Sequence, residues 1–268
     1  MHRNIRYLFL LLFAFLLSTP IEVSAQQRRR TTTSRRYNNR SRNRSTARRS
    51  RTTARRRTVH PRGAHYAQRV AEFNRTRAID STCIVMLGNS LTENGRDWCV
   101  LLEDSTVCNR GISGDTAGGI TERLNQILPG KPRAIFLMCG TNDISHGHSA
   151  EKVFYMCKSL IDTIRITSPE TRLFVQSILP WNDSFNRWKN LVGRSDDVPV
   201  INNLLRSYCE EEDITFINLY PKFTLGDTNQ MVKEYTADGL HLTPLGYQIW
   251  SSQLKPYIQE LNQPQHNP

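Results

Sequence analysis

The sequence predicts an α/β domain, a three-layer α/β/α sandwich around a five-stranded parallel sheet. Three observations predict it. From about residue 66 onward, short apolar runs alternate with longer stretches of helical periodicity, the pattern of strands joined by crossover helices. The run at 134–139 is nearly continuously apolar, as a strand covered on both faces must be. The first three apolar runs each lead into a polar, glycine-containing cluster, and parallel sheets bind their ligands beyond the carboxyl ends of their strands.

Taken in order, residues 84–87 form the first strand, ending at Gly88, and a helical stretch follows around 97–102. Residues 106–108 make the second strand, and 116–128 carry apolar side chains at helical spacing. The third strand is 134–139. The stretch 149–167 is a long amphipathic helix that stops before Pro169, because the residue preceding a proline disfavours the α region. Residues 173–179 read as the fourth strand, 200–211 as a helix, 214–219 as the fifth strand, and 244–261 as the closing helix. Thr243 and Pro244 supply the cap and first-turn proline of that last helix.

The chain divides into three parts. Residues 1–25 combine Arg3 and Arg6, an apolar run from Leu8 to Leu17 and the small-residue site Val23-Ser24-Ala25, which is the pattern of a secretory signal peptide cut after Ala25. The apolar run is about half the ~20 residues that a spanning helix needs, and no later segment could span a membrane. An exported location is expected: periplasmic, cell-surface or secreted. Residues 26–62 hold fifteen Arg, no Lys and no acid. The formal charge of the whole chain is +12; taking away +1 for the leader and +15 for this tail leaves −4 for residues 63–268. The tail has too little apolar surface to offset the entropy of ordering, so a disordered segment is expected. Its charge suits an anionic envelope surface, and nucleic acid is not the expected partner of an exported chain.

Six cysteines in an exported chain raise the question of a disulfide. Cys83, Cys108 and Cys139 fall in or beside strands and Cys99, Cys157 and Cys209 on helices; one bridge is possible, and no pair is singled out. No cysteine or histidine spacing suggests zinc, and no cofactor or metal is expected.

Four clusters in fixed order carry chemistry: Gly88-Asn89-Ser90, Gly111-Ile112-Ser113-Gly114-Asp115, Gly140-Thr141-Asn142-Asp143 and Asp238-Gly239-Leu240-His241. A serine hydroxyl attacks an acyl carbon only when a base takes its proton, and histidine is suited to that. A carboxylate three residues before the histidine can fix its tautomer and stabilise the imidazolium. Ser90, His241 and Asp238 are therefore the candidate catalytic residues. The backbone N–H groups of Ser90 and Gly114 and the Asn142 amide are the candidate oxyanion donors. Singly, each cluster could be only a turn or a helix cap. The first three all fall after strands, so they should meet on one rim.

These blocks resemble those of the SGNH hydrolase family, the GDSL-type esterases and lipases, over roughly residues 84–258. The resemblance implies the flavodoxin-like SGNH hydrolase fold for residues 63–268 and a serine-dependent carboxylic ester hydrolase. Ser90, Asp238 and His241 would be its triad, and Ser90, Gly114 and Asn142 its oxyanion hole. One departure is visible: Asn89 stands where the family usually has Asp. The stretch Gln176-Ser177-Ile178-Leu179-Pro180 and the ending from Asp238 to Tyr247 look similar to carbohydrate acetylesterase branches, and so imply removal of O-acetyl groups from a glycan. Trp181 and Trp188 are candidate platforms for a sugar ring, though a Trp there equally suits packing its loop, and His146 and His148 are candidate rim contacts without a catalytic role. Two other readings compete: a lysophospholipase or other long-acyl esterase, and an envelope-binding protein using the esterase fold as a scaffold. The sequence leaves the oligomeric state open.

Overall fold

The computed structural model describes residues 63–263. The expected signal peptide at 1–25 and Arg-rich tail at 26–62 lie outside the described residues, as do residues 264–268. The five strands are β1 (Ile84–Gly88), β2 (Val107–Gly111), β3 (Ala134–Met138), β4 (Arg172–Gln176) and β5 (Thr215–Ile217). They form one sheet in the order β2-β1-β3-β4-β5, every pair parallel. Gly88 stands in register with Gly111 on one side and Met138 on the other, so the carboxyl ends of β1, β2 and β3 are level. That register is what gathers the three loops after them.

The helices are α1 (Gly63–Phe73), α2 (Ser90–Asn94), α3 (Trp98–Leu102), α4 (Ala117–Thr121), α5 (Thr141–Ser145), α6 (Ala150–Thr167), α7 (Asp197–Glu211), α8 (Tyr220–Phe223) and α9 (Pro244–Asn262). Side chains alternate across a strand, and here both sets are buried. Val85, Leu87, Ile135, Leu137 and Val175 pack with the apolar stripes of α4, α6 and α7. Ile84, Met86, Phe136 and Phe174 pack on the other face with α3, α8 and α9. The result is the expected three-layer α/β/α sandwich. On the second face Phe136 and Phe174 stack at 4.4 Å, and Trp98 meets Trp250 edge-on at 5.0 Å; such pairs add ~0.5–1.5 kcal/mol beyond area burial.

Several elements depart from the sequence reading. Helix α1 was not expected. Tyr66, Val70 and Phe73 place an apolar stripe at helical spacing against Ile112, and the guanidinium groups of Arg69 and Arg110 lie over the Phe73 ring at 4.8 and 4.9 Å. The helix expected over 116–128 is broken into α4 and two 3-10 turns, Leu124–Gln126 and Leu128–Gly130. Gly118 and Gly119 weaken it by ~1 kcal/mol each relative to Ala. Arg123, which would lie on its path, is buried instead, with its Nε 2.6 Å from Asp115 and Nη2 donating to the Gly88 carbonyl at 3.0 Å. Helix α7 starts at Asp197, a turn earlier than expected, with Pro199 in its first turn, where a missing N–H costs nothing.

All six cysteines are thiols. Cys139 Sγ and Cys157 Sγ approach to 3.4 Å between β3 and α6. Burial pushes the Cys209 thiol up to about 12. Among the described residues no helix is long and apolar enough to cross a membrane.

Candidate active site

Ser90 is the first residue of α2, directly after β1. Asn89 begins that helix: its side-chain oxygen accepts the Leu91 N–H at 3.0 Å, and it is 1 % exposed. Asn89, where the resemblance implies Asp, thus does the work of an N-cap without charge. The Ser90 hydroxyl faces His241 Nε2 at 3.0 Å, and His241 Nδ1 lies 2.9 Å from Asp238 Oδ2. The other Asp238 oxygen accepts the backbone N–H groups of His241 at 2.8 Å and Leu240 at 3.0 Å. Burial works to raise the Asp238 pKa, but the hydrogen bonds from His241 and Leu240 outweigh it, so the carboxyl is held below its ordinary range. A charged carboxylate beside the imidazole is the electrostatic consequence.

The loop carrying His241 is itself held. The His241 carbonyl accepts from Ala237 N at 2.8 Å and from the Thr236 hydroxyl at 2.9 Å, and the Gly239 carbonyl accepts Asn182 N at 2.7 Å. Thr243 then caps α9 through the Gly246 N–H.

Opposite the imidazole, Gly114 has φ +84°, a conformation that only glycine adopts without strain. Gly140, φ +113°, precedes Asn142, and a Cβ there would meet Ile178 at 2.5 Å. The Asn142 amide donates one hydrogen to the Asp115 carbonyl at 2.8 Å, which orients the amide and leaves its second hydrogen available. Asp143, fully buried, accepts the Ala117 N–H at 3.1 and 3.2 Å; burial pushes its carboxyl above the ordinary range. The asparagine cluster therefore also fastens the loop that follows β2.

Glu93, which the sequence reading passed over, fastens the same loop from the other side. Its carboxylate accepts the Ser113 N–H at 2.6 Å and the Ser113 hydroxyl at 2.8 Å, with His65 and Arg69 of α1 beside it at 3.0 and 3.3 Å. Burial alone would raise this carboxyl; the bonds from His65 and Ser113 and the charge of Arg69 bring it below the ordinary range. Its position three residues after Ser90, on the same side of α2, was the one available signal.

Ser90, Gly114, Asn142 and His241 line one open cavity of about 560 Å³. Trp188 lines it too, its ring edge-on to His241 at 5.1 Å. Trp181 does not. It is 1 % exposed, packed in the core with its indole N–H on Asp183, so of its two readings, sugar platform and packing residue, the second holds. His146 is exposed and lines a neighbouring shallow cavity beside Ser113 and Gly114, while His148 is half-buried; neither lines the cavity of Ser90. Asn94, Ser113, Ser145, Arg187, Lys189, Asn190, Leu191 and Leu240 also line it; nothing in the local sequence set 187–191 apart from an ordinary loop. A larger groove of about 750 Å³ lies at the opposite, amino ends of β4 and β5 beside Arg172 and Thr215, with no hydroxyl paired to a base. Among the described residues no group of three metal-ligating side chains comes together.

The model of the GDSL-like lipase/acylhydrolase family matches residues 86–249. Platelet-activating factor acetylhydrolase IB subunit alpha1 of Bos taurus is 26 % identical over 170 residues, covering 61 % of this chain and 69 % of that protein. A provisionally assigned platelet activating factor structure from Streptococcus pneumonia is 28 % identical with a TM-score of 0.63, covering 72 % of this chain and 92 % of that one. A GDSL-like lipase from Bacteroides thetaiotaomicron, 22 % identical with a TM-score of 0.62, covers 73 % of this chain and 97 % of its own and speaks for the fold alone.

Proposed function

The chain belongs to the GDSL-like lipase/acylhydrolase family, an ester hydrolase family, and on that premise we propose that it removes O-acetyl groups from a carbohydrate through an acyl-enzyme on Ser90. The observation that carries this is the hydrogen-bonded line from Ser90 Oγ to His241 to Asp238, at 3.0 and 2.9 Å, opening into the cavity that Gly114 and Asn142 share.

In this reading Ser90 Oγ attacks the ester carbonyl while His241 Nε2 takes its proton, and Asp238 steadies the imidazolium. The carbonyl oxygen becomes an oxyanion facing the Ser90 and Gly114 N–H groups and the free hydrogen of the Asn142 amide; preorganised donors of this kind are commonly the largest single contribution. Collapse releases the alcohol, which receives the proton from His241. Water then repeats the sequence and frees the acid. Trp188 and His241 pack edge-to-face beside the cavity, their centroids 5.1 Å apart.

A short acyl group is supported by the cavity wall, where Leu191, Leu240 and Trp188 are the large apolar side chains among Ser, Asn and basic residues. The bovine relative carries acetylhydrolase in its name, which supports an acetyl group. Trp188 remains as a face for a sugar ring. The leader-like residues 1–25 and the basic residues 26–62 support export and contact with an anionic envelope. The test compares para-nitrophenyl acetate with its long-chain homologues, using wild type and Ser90→Ala. Preference for acetate, with turnover lost in the variant and a serine-directed phosphonate labelling Ser90 alone, is expected. Preference for long chains moves the protein to lipid esters, and turnover surviving in Ser90→Ala ends the proposal.

A further inference from the structure

The cavity of Ser90 carries an uneven charge. Arg187 and Lys189 stand on its wall, one on each side of Trp188 in the chain, and no carboxylate side chain lines it. Residues 63–268 carry a net −4, so two cations at this mouth are not a sample of a generally basic surface. Neither has a carboxylate partner among the described residues. Lys189 Nζ donates to the Asn186 side-chain oxygen at 2.6 Å, and the Arg187 guanidinium lies 5.9 Å from the Trp188 ring centroid. Asp183 is the lone acid on the segment 182–190, and it is engaged elsewhere, with the Trp181 indole N–H and Gln230. Behind His241, Asp238 is occupied by the imidazole and two backbone N–H groups. Two like charges two residues apart repel each other, and an anion seated between them relieves that.

Resting on the proposed serine esterase, we propose that the alcohol portion of its substrate is anionic, bearing a carboxylate or phosphate that Arg187 and Lys189 bind while Ser90 attacks the ester. The guanidinium can take either oxyanion through two parallel hydrogen bonds, whereas the ammonium supplies a point charge. Exposure keeps the interaction modest and sensitive to salt, since the Debye length shrinks from ~10 Å at 0.1 M to ~3 Å at 1 M.

The test uses matched acetyl esters: para-acetoxybenzoate, the neutral para-acetoxybenzamide and para-acetoxyphenyl phosphate. At low salt the wild-type chain should favour the anionic esters by about tenfold in kcat/KM, equal to ~1.4 kcal/mol of transition-state binding. The preference should be carried mainly by KM and should shrink in 1 M salt. Which anionic ester leads identifies the anion as carboxylate or phosphate. In Arg187→Gln/Lys189→Gln the ratio of anionic to neutral turnover should fall towards one. Single Gln variants show which cation contributes. Equal or better use of the neutral ester by wild type, with turnover dependent on Ser90, overturns the anionic substrate and leaves the esterase standing. A preference that persists in the double variant overturns the role of these two residues. Failure of all three esters and of neutral aryl acetates to show Ser90-dependent turnover removes the esterase reading and this inference together.

Discussion

Replacing Glu93 with Ala should lower kcat by roughly 10²-fold while moving KM little, if the Gly114 N–H is the oxyanion donor proposed above, because Glu93 holds the loop of Gly114 and does not line the cavity of Ser90. Its carboxylate accepts two hydrogens from Ser113, at 2.6 and 2.8 Å, one residue before Gly114. Hydrogen bonds to a charged group are worth ~1.5–3 kcal/mol each, so the substitution removes up to roughly 3–6 kcal/mol of restraint, less what water returns. Other restraints remain beyond Gly114: Asp115 N to the Ile112 carbonyl at 3.1 Å, the Asn142 amide to the Asp115 carbonyl at 2.8 Å, Arg123 Nε to the Asp115 carboxylate at 2.6 Å and Ala117 N to Asp143 at 3.1 Å. The loop should keep its path but lose the orientation of the Gly114 N–H, and complete loss of one oxyanion donor, ~10²–10³, sets the ceiling. Glu93→Gln keeps an acceptor oxygen for Ser113 and should recover much of the rate. Steady-state turnover of an aryl acetate, normalised by active-site titration, measures both variants. Since the folded carboxyl lies below its ordinary range, its contribution to stability is present at neutral pH. It is lost as the pH falls below ~4.3, the ordinary Glu value, and through the lower folded one. Glu93→Gln should flatten that acid decline. A kcat for Glu93→Ala close to wild type, in a protein with unchanged melting temperature, would refute the clamp and leave the remaining restraints as sufficient.

The other predictions concern base, scaffold and tail. His241→Ala should cost nearly as much as loss of Ser90, because the groups act as a unit, whereas Asp238→Asn should leave measurable turnover since the imidazole survives; equal losses would contradict the ranking. Arg123→Met should destabilise the fold by about 3–5 kcal/mol in denaturant unfolding, the cost of removing one partner of a buried ion pair, because Arg123 and Asp115 pair at 2.6 Å with side chains only 1 % and 2 % exposed; an unchanged midpoint would show that the pair is dispensable. Deleting residues 26–62 should leave turnover of a small soluble acetyl ester unchanged and weaken adhesion to anionic vesicles in a salt-dependent way, at ~1 kcal/mol for each Arg near the surface. Equal adhesion of both chains at low salt would make the tail a spacer.

The sequence by itself determined the layers and the order of the clusters. Strand and helix periods are local properties, and the buried residues 84–88 and 134–138 announce a sheet covered on both sides before any contact is known. The parallel arrangement then requires the loops after β1, β2 and β3 to share a rim. Where local chemistry was ambiguous, the sequence could not decide. The stretch 116–128 has a helical pattern, yet Arg123 is drawn inward to Asp115 and Gly88 and the helix breaks. Trp181 and Trp188 look alike as letters, and only packing sends one into the core and the other to the wall beside His241. The contact of Glu93 with Ser113 spans 20 residues, and that of Ser90 with His241 spans 151. No periodicity encodes such distances. They are set by strand register and by how α2, the loop after β2 and the loop before α9 pack over the carboxyl ends of the sheet, where the charge and shape of the cavity are decided by side chains far apart in the chain.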